Sequence, residues 1–221
     1  LLIRSAVRSA ANKFSNKAAK SSITTSADKT TGSKKAKKKQ TTTSSSSYNA
    51  QLDTVTLKKK GKNQKKSDSV SLTISSAGDC TLGTDENFSY TSSLNAYYDL
   101  YGADYFFKHV KSIFEKDDLS IVNMEGTLTE ETTRELKTYA FKGPVEYASI
   151  LSGSSIEAAN LANNHSSDYG VKSYSDTIKA LEDAGVSTFG YNRIKIFKIK
   201  GVKVGVTGIY ELEDHQDRAT Q

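Results

Sequence analysis

The 221-residue chain carries 31 Lys and Arg against 25 Asp and Glu, a net charge of +6, with one Cys and no Trp. A single cysteine, Cys80, excludes a framework of internal disulfides, and no run of about 18 apolar residues reads as a membrane-spanning helix. The average charge describes neither half of the chain. Residues 1 to 68 hold 17 Lys and Arg against Asp28, Asp53 and Asp68 only, whereas the remainder carries 14 basic and 22 acidic groups.

The leader, residues 1–68, contains Lys34 to Lys39 and Thr41 to Ser47, runs with too little apolar surface to offset the entropy lost on ordering. It reads as a disordered basic tether rich in Lys, Ser and Thr. Its only aromatics, Phe14 and Tyr48, lie outside the lysine runs, so nothing stacks bases there and no specific nucleic-acid partner is expected. Charge alone suits contact with anionic lipid, wall polymer or a polyanionic product. Leu1-Leu2-Ile3 before Arg4 fits the trailing edge of an apolar anchor upstream of residue 1.

From Ser69 onward short apolar strands alternate with amphipathic helices, the pattern of an α/β domain with a largely parallel sheet, spanning 69–221. Val70, Leu72 and Ile74 alternate with polar residues and run into Gly78-Asp79. Phe106, Val110, Ile113 and Phe114 fall at helical spacing, and a strand over Leu119 to Val122 leads to Asn123-Met124-Glu125-Gly126. A short helix is expected over Val145 to Leu151 and a strand near Ile156 to Ala159, which delivers Asn163-Asn164-His165. Val171, Tyr174, Ile178 and Leu181 mark an amphipathic helix ended by Ala184-Gly185, followed by a strand over Val186 to Phe189. Ile194 to Ile199 and Val202 to Ile209 flank Lys200-Gly201 as a β-hairpin, with an open sheet edge at Val202 to Ile209.

Three strand ends therefore present polar groups: Asp79, Glu125, and Asn164 with His165. In open α/β sheets ligands gather beyond the carboxyl ends of the strands, so these residues are expected at one rim. Paired carboxylates bridge divalent ions, an Asn carbonyl adds oxygen without charge, and a neighbouring His binds metal or protonates a leaving oxygen. Taken singly, each has a plainer reading. Asp79 suits a turn, Glu125 a solvated strand end, and Asn164 with His165 a cap and a satisfied imidazole. Asp168 reads as the N-cap of the helix near Val171, His109 as a surface residue, and Cys80 as a small buried thiol.

The stretch Ala77-Gly78-Asp79-Cys80-Thr81-Leu82-Gly83 resembles the opening Gly-Asp motif of CapA-like bacterial capsule (poly-gamma-glutamate) synthesis proteins. Asn123-Met124-Glu125-Gly126 resembles their Asn-Leu-Glu-Gly element, and Ala162-Asn163-Asn164-His165 through Asp168-Tyr169-Gly170 their Ala-Asn-Asn-His and Asp-Tyr-Gly pattern. Together these cover roughly residues 72 to 210. That family is similar to calcineurin-like metallophosphoesterases, which implies a layered metallophosphatase-like sandwich, here its N-terminal part, with further strands and His motifs beyond Gln221. The resemblance implies that Asp79, Glu125 and Asn164 are metal ligands and His165 the catalytic group, with one or two divalent ions, Mn or Zn, as cofactors. It also implies an anionic capsule polymer and other capsule synthesis membrane proteins as partners, and a place on the extracellular face of a bacterial membrane. The stretch before Asp79 lacks the Asp-x-His start usual in that superfamily, so a non-catalytic assembly or polymer-binding module stands beside the hydrolase reading.

Overall fold

The structure is a computed structural model and describes residues 2–6, 51–57 and 69–210. The Lys34 to Lys39 and Thr41 to Ser47 runs lie outside the described residues. In chain order the strands are β1 (Leu2–Ala6), β2 (Gln51–Thr56), β3 (Ile74–Thr81), β4 (Leu119–Glu125), β5 (Thr127–Leu128), β6 (Lys142–Gly143), β7 (Ala158–Asn160), β8 (Ser187–Phe189), β9 (Arg193–Ile199) and β10 (Val202–Ile209). The α-helices are α1 (Leu94–Tyr101), α2 (Lys111–Phe114), α3 (Ala148–Ser152) and α4 (Gly170–Asp183).

Among the described residues two four-stranded sheets and one short ladder result: β3-β4-β7-β8, β1-β10-β9-β2, and β5-β6. All pairings in the first sheet are parallel. Its central strand β4 is buried at six of its seven positions, as expected of a strand covered on both faces. On one face Leu119, Ile121, Ala158 and Phe189 pack with Phe197, Ile199, Val204 and Val206 of the second sheet. On the other, Val122, Met124, Ala159 and Leu161 pack with Ile150 and Leu151 of α3 and Leu181 of α4. The alternation of side chains along β4 thus feeds two cores, and the domain is a layered α/β arrangement. Each aliphatic side chain fully buried there contributes about 1.5–3 kcal/mol relative to exposure.

The β9–β10 hairpin forms where expected, and its turn residues Lys200 and Gly201 both have positive φ, 50° and 85°, the twist that matches flanking strands. Helix α4 buries Ser173, Thr177 and Leu181 at four-residue spacing. The expected helix over 106 to 114 shrinks to the single turn α2. The regular helix of this stretch is α1 instead, whose first turn is capped by the Ser93 hydroxyl accepting from Ala96 N–H at 3.2 Å.

Two stretches within residues 1–68 lie in strands. β1 pairs in parallel with β10, and β2 in parallel with β9, so β10 does not present the open edge expected of it. Part of the reason is electrostatic: Lys195 on β9 is 7% exposed, and Asp53 of β2 accepts from its Nζ at 2.9 Å. The Lys195 ammonium beside it holds the Asp53 carboxyl below its ordinary value. Among the described residues, no helix is long and apolar enough to cross a membrane.

Candidate functional site

The parallel register places Asp79 opposite Asn123, and Asn123 opposite Asn160. Side chains at one register level of a parallel sheet lie side by side, so polar groups there can bond across strands. Asn123 Nδ2 donates to Asp79 Oδ1 at 2.7 Å, while Asn123 Oδ1 accepts from Asn160 Nδ2 at 2.9 Å and Asn163 Nδ2 at 3.2 Å. These three asparagines are 0–3% exposed, so a satisfied row of amides runs beneath the rim. Asp79 itself sits in β3 next to a register shift between Ser76 and Asp79, and its side chain is exposed.

Glu125 ends β4. Burial raises its pKa, and the neighbouring Asp79 raises it further, by its charge and by a hydrogen bond between the two carboxyls; His165 acts in the opposite direction. His165 Nε2 lies 3.6 Å from Glu125 Oε1, and its Nδ1 lies 2.8 Å from Asp168 Oδ2. An ionised carboxylate only accepts, so Asp168 places a proton on Nδ1 and turns Nε2 toward Glu125. The result is a continuous chain, Asp79 to Glu125 to His165 to Asp168.

Asp168 is fully buried and also accepts from Lys137 Nζ at 2.6 Å and Phe141 N–H at 2.6 Å. It is not the helix cap expected of it. The residue before α4 is Tyr169, which makes no side-chain cap bond. Asp168 serves His165 across three residues and gathers the loop of residues 137–141. Sequence reading noted Asp168 without seeing this role; its three-residue offset from His165 was the available signal.

The Asn-Asn-His triplet divides its labour differently from expectation. Asn163 Nδ2 donates to Met124 carbonyl at 2.8 Å, and Asn163 Oδ1 accepts from His165 N–H at 2.9 Å, which fixes the loop. Asn164 contributes its carbonyl, which accepts from Lys137 Nζ at 2.7 Å. The structure thus joins Asp79, Glu125 and His165 in one chain of contacts and sets Asn164 next to it in the same loop. His109 is exposed, as expected, and Met124 is fully buried. Burial, helped by the charge of Asp79, pushes the Cys80 thiol up to about 12, so it stays neutral.

As to metal, among the described residues no group of three or more His, Cys, Asp and Glu side chains is gathered to hold an ion. The donor types nonetheless suit a divalent cation. Two carboxyls in contact, one with its proton affinity raised by the other, are the condition that such a cation relieves. An imidazole whose far nitrogen is held by a carboxylate is the arrangement that orients metal-site histidines.

The domain is a layered α/β fold with carboxylates and a carboxylate-held imidazole at the carboxyl ends of parallel strands, the rim where ligands of such sheets gather. The family model of the bacterial capsule synthesis protein PGA_cap matches residues 73–221, well over half of the chain, and the chain belongs to that family. It is 29% identical over 119 residues to the capsule biosynthesis protein CapA of Bacillus anthracis, a match covering 49% of this chain and 29% of that protein. It is 27% identical over 124 residues to the PGA biosynthesis protein CapA of Bacillus subtilis, covering 50% of this chain and 32% of the relative. The chain thus spans about three tenths of the length of the curated relatives it matches.

Proposed function

We propose that this chain serves the synthesis or export of an anionic capsule polymer of the poly-gamma-glutamate kind, at the cell envelope, through a metal-assisted hydrolytic rim. The observation that carries the rim is the His165 imidazole held between Glu125 Oε1 at 3.6 Å and Asp168 Oδ2 at 2.8 Å, with Asp79 beside Glu125. In this reading Asp79 and Glu125 hold a divalent ion such as Mn²⁺ or Zn²⁺, and Asn164 supplies a further oxygen. The ion, when bound, polarises a phosphoryl or carbonyl oxygen. As water attacks that centre and the bond to the leaving oxygen breaks, His165 passes its Nε2 proton to that oxygen, while Asp168 stabilises the imidazolium that precedes the transfer. Phe141, with its ring centroid 4.7 Å from that of His165, shields one side of the imidazole from water. The same proposal includes interaction with capsule synthesis membrane proteins on the outer face of the membrane, a reading that membership of the capsule synthesis family supports.

Calorimetric titration of the full chain with Mn²⁺ is the test. Binding is expected to disappear in Glu125→Gln and Asp79→Asn and to persist in His165→Ala, which instead loses hydrolysis of an activated phosphodiester. Binding that survives both carboxylate substitutions overturns the metal assignment.

A further inference from the structure

Beside the rim stand two half-exposed rings, Phe88 and Tyr139, next to the Phe141 ring that lies against His165. The ring centroids of Phe88, Tyr139 and Phe141 lie 6.0 and 6.4 Å apart from Phe88 to the other two, and 6.4 Å from Tyr139 to Phe141. Phe88 is 50% exposed and Tyr139 52%. Their backbone is nonetheless fixed. Asp85 Oδ2 accepts from Ala140 N–H at 2.7 Å, between the two loop aromatics, and the Asp85 carbonyl accepts from Phe88 N–H at 3.0 Å. Asp168 holds Phe141 N–H. Large rings kept half in water on a frame pinned by two buried carboxylates are ready for a ligand, because little freedom is left to lose on binding.

We propose that Phe88, Tyr139 and Phe141 form a binding site for an alkylated ammonium group on a small organic ligand. The centroids form a nearly equilateral triangle, so a cation seated over its centre lies within about 6 Å of all three rings, the range in which the negative ring face attracts it. With His165 in its neutral form, the surrounding charge selects the same sign. The cations of the adjoining loop are all committed: Arg134 to Asp85 at 2.9 Å, Lys137 to Asp168, and Lys142 to the Glu131 carbonyl at 2.8 Å and the Tyr169 ring. Asp79 and Glu125 at the rim add negative potential, and the largely exposed Glu86, 3.8 Å from Arg134 Nε, shares that guanidinium with Asp85. With every cation of this loop engaged, an anion is left with only neutral hydroxyl donors such as those of Thr138 and Tyr139. An uncharged ligand gains from the rings but nothing from the carboxylates. The site goes beyond the hydrolytic reading and stands without it.

The experiment titrates the full chain, treated with chelator, with choline and with its uncharged isostere in which carbon replaces the nitrogen, following aromatic proton resonances. Choline is expected to shift the Phe88, Tyr139 and Phe141 signals and to bind about five- to thirtyfold more tightly than the isostere. The response is lost in Phe88→Ala with Tyr139→Ala, half-exposed positions whose replacement leaves the melting temperature nearly unchanged. Phe141→Leu, which keeps the backbone N–H for Asp168, weakens it without abolishing it. Equal affinity for the isostere, or shifts of these rings by a glutamate oligomer or a neutral sugar but not by choline, overturns the proposal. Chelator treatment makes the outcome independent of any ion at the rim.

Discussion

Two carboxylates near the same loop, Asp85 and Glu125, have opposite fates. Asp85 is 1% exposed, which by itself would push its pKa up. The Ala140 N–H, the Arg134 guanidinium and the Asn87 backbone and side-chain donors outweigh that and hold it well below the usual carboxylate range. Glu125 has the reverse balance. Burial and the facing Asp79 raise its pKa against the weaker pull of His165 and Thr81. One buried charge is matched donor by donor and belongs to the scaffold; the other is left in tension with a neighbour of the same sign. Uncompensated charge at a strand end is what a site for a cation or a proton requires.

The largest test of that contrast is Asp85→Ala. Removing the carboxylate strands Arg134, whose side chain is 17% exposed, along with the Ala140 and Asn87 donors. Breaking one side of a buried pair costs about 3–5 kcal/mol, read as a lower urea midpoint. Because the folded pKa of Asp85 is depressed, its stabilisation is full above the ordinary carboxylate pKa of about 3.9 and is lost as the pH falls below it toward the folded value. The acid-unfolding curve of the variant is therefore expected to be flatter than that of the parent. A cost under about 1 kcal/mol would erase the distinction between scaffold and site.

A smaller effect is expected from Gly208→Ala, which probes the amide row under the rim. A Cβ there would stand 1.9 Å from Asn160 Oδ1 and 2.8 Å from its Cγ. Asn160 cannot swing away freely, since its Oδ1 accepts from Ala162 N–H at 3.1 Å and its Nδ2 donates to Asn123. Forcing a methyl into such packing costs about 1–3 kcal/mol. The displaced Asn160 is expected to disturb Asn123 and so Asp79. The expected outcome is a drop in both melting temperature and Mn²⁺ affinity, whereas a drop in stability alone would uncouple the row from the rim.

Particular residues show why the fold was more legible in the sequence than the site. The hairpin announced itself through Lys200-Gly201 between apolar runs, and α4 through a repeat ending at Leu181 before Gly185, because local backbone preference and burial agree there. β2 did not. Its Leu52, Asp53, Thr54 and Val55 alternate just before a lysine run, and its partner Lys195 is buried with its charge met by Asp53 and Glu182. The Phe106 to Phe114 stripe misled for a related reason. Ile113 is 57% exposed and Val110 38%, so apolar spacing was not burial, and Ser93 capped an earlier helix. At the rim, strand-end placement located Asp79, Glu125 and His165. The division between Asn163 and Asn164, and the turn of Asp168 toward the imidazole, depend on loop conformation, which no periodicity encodes.

The smallest effect, and the one of opposite sign, is expected from Glu125→Gln. Glutamine keeps the shape and a hydrogen-bonding head for Asp79 and Thr81 but removes the charge that burial and Asp79 oppose. Replacing a like-charge contact by a neutral one contributes stability of up to about 1 kcal/mol near neutral pH, where Asp85→Ala loses several. The sign follows from the raised folded pKa of Glu125. Stability tied to its protonated form is fully present below the unfolded value, about 4.3, and is lost as the pH rises through the higher folded value. The variant and the parent should thus melt alike in acid and diverge in favour of the variant as the pH climbs, without Mn²⁺. Adding Mn²⁺ should reverse the order, since the ion stabilises only the chain that binds it. If Glu125→Gln is instead destabilising at neutral pH in the absence of metal, Glu125 is a paired structural carboxylate like Asp85, and the rim loses the tension that the metal reading needs.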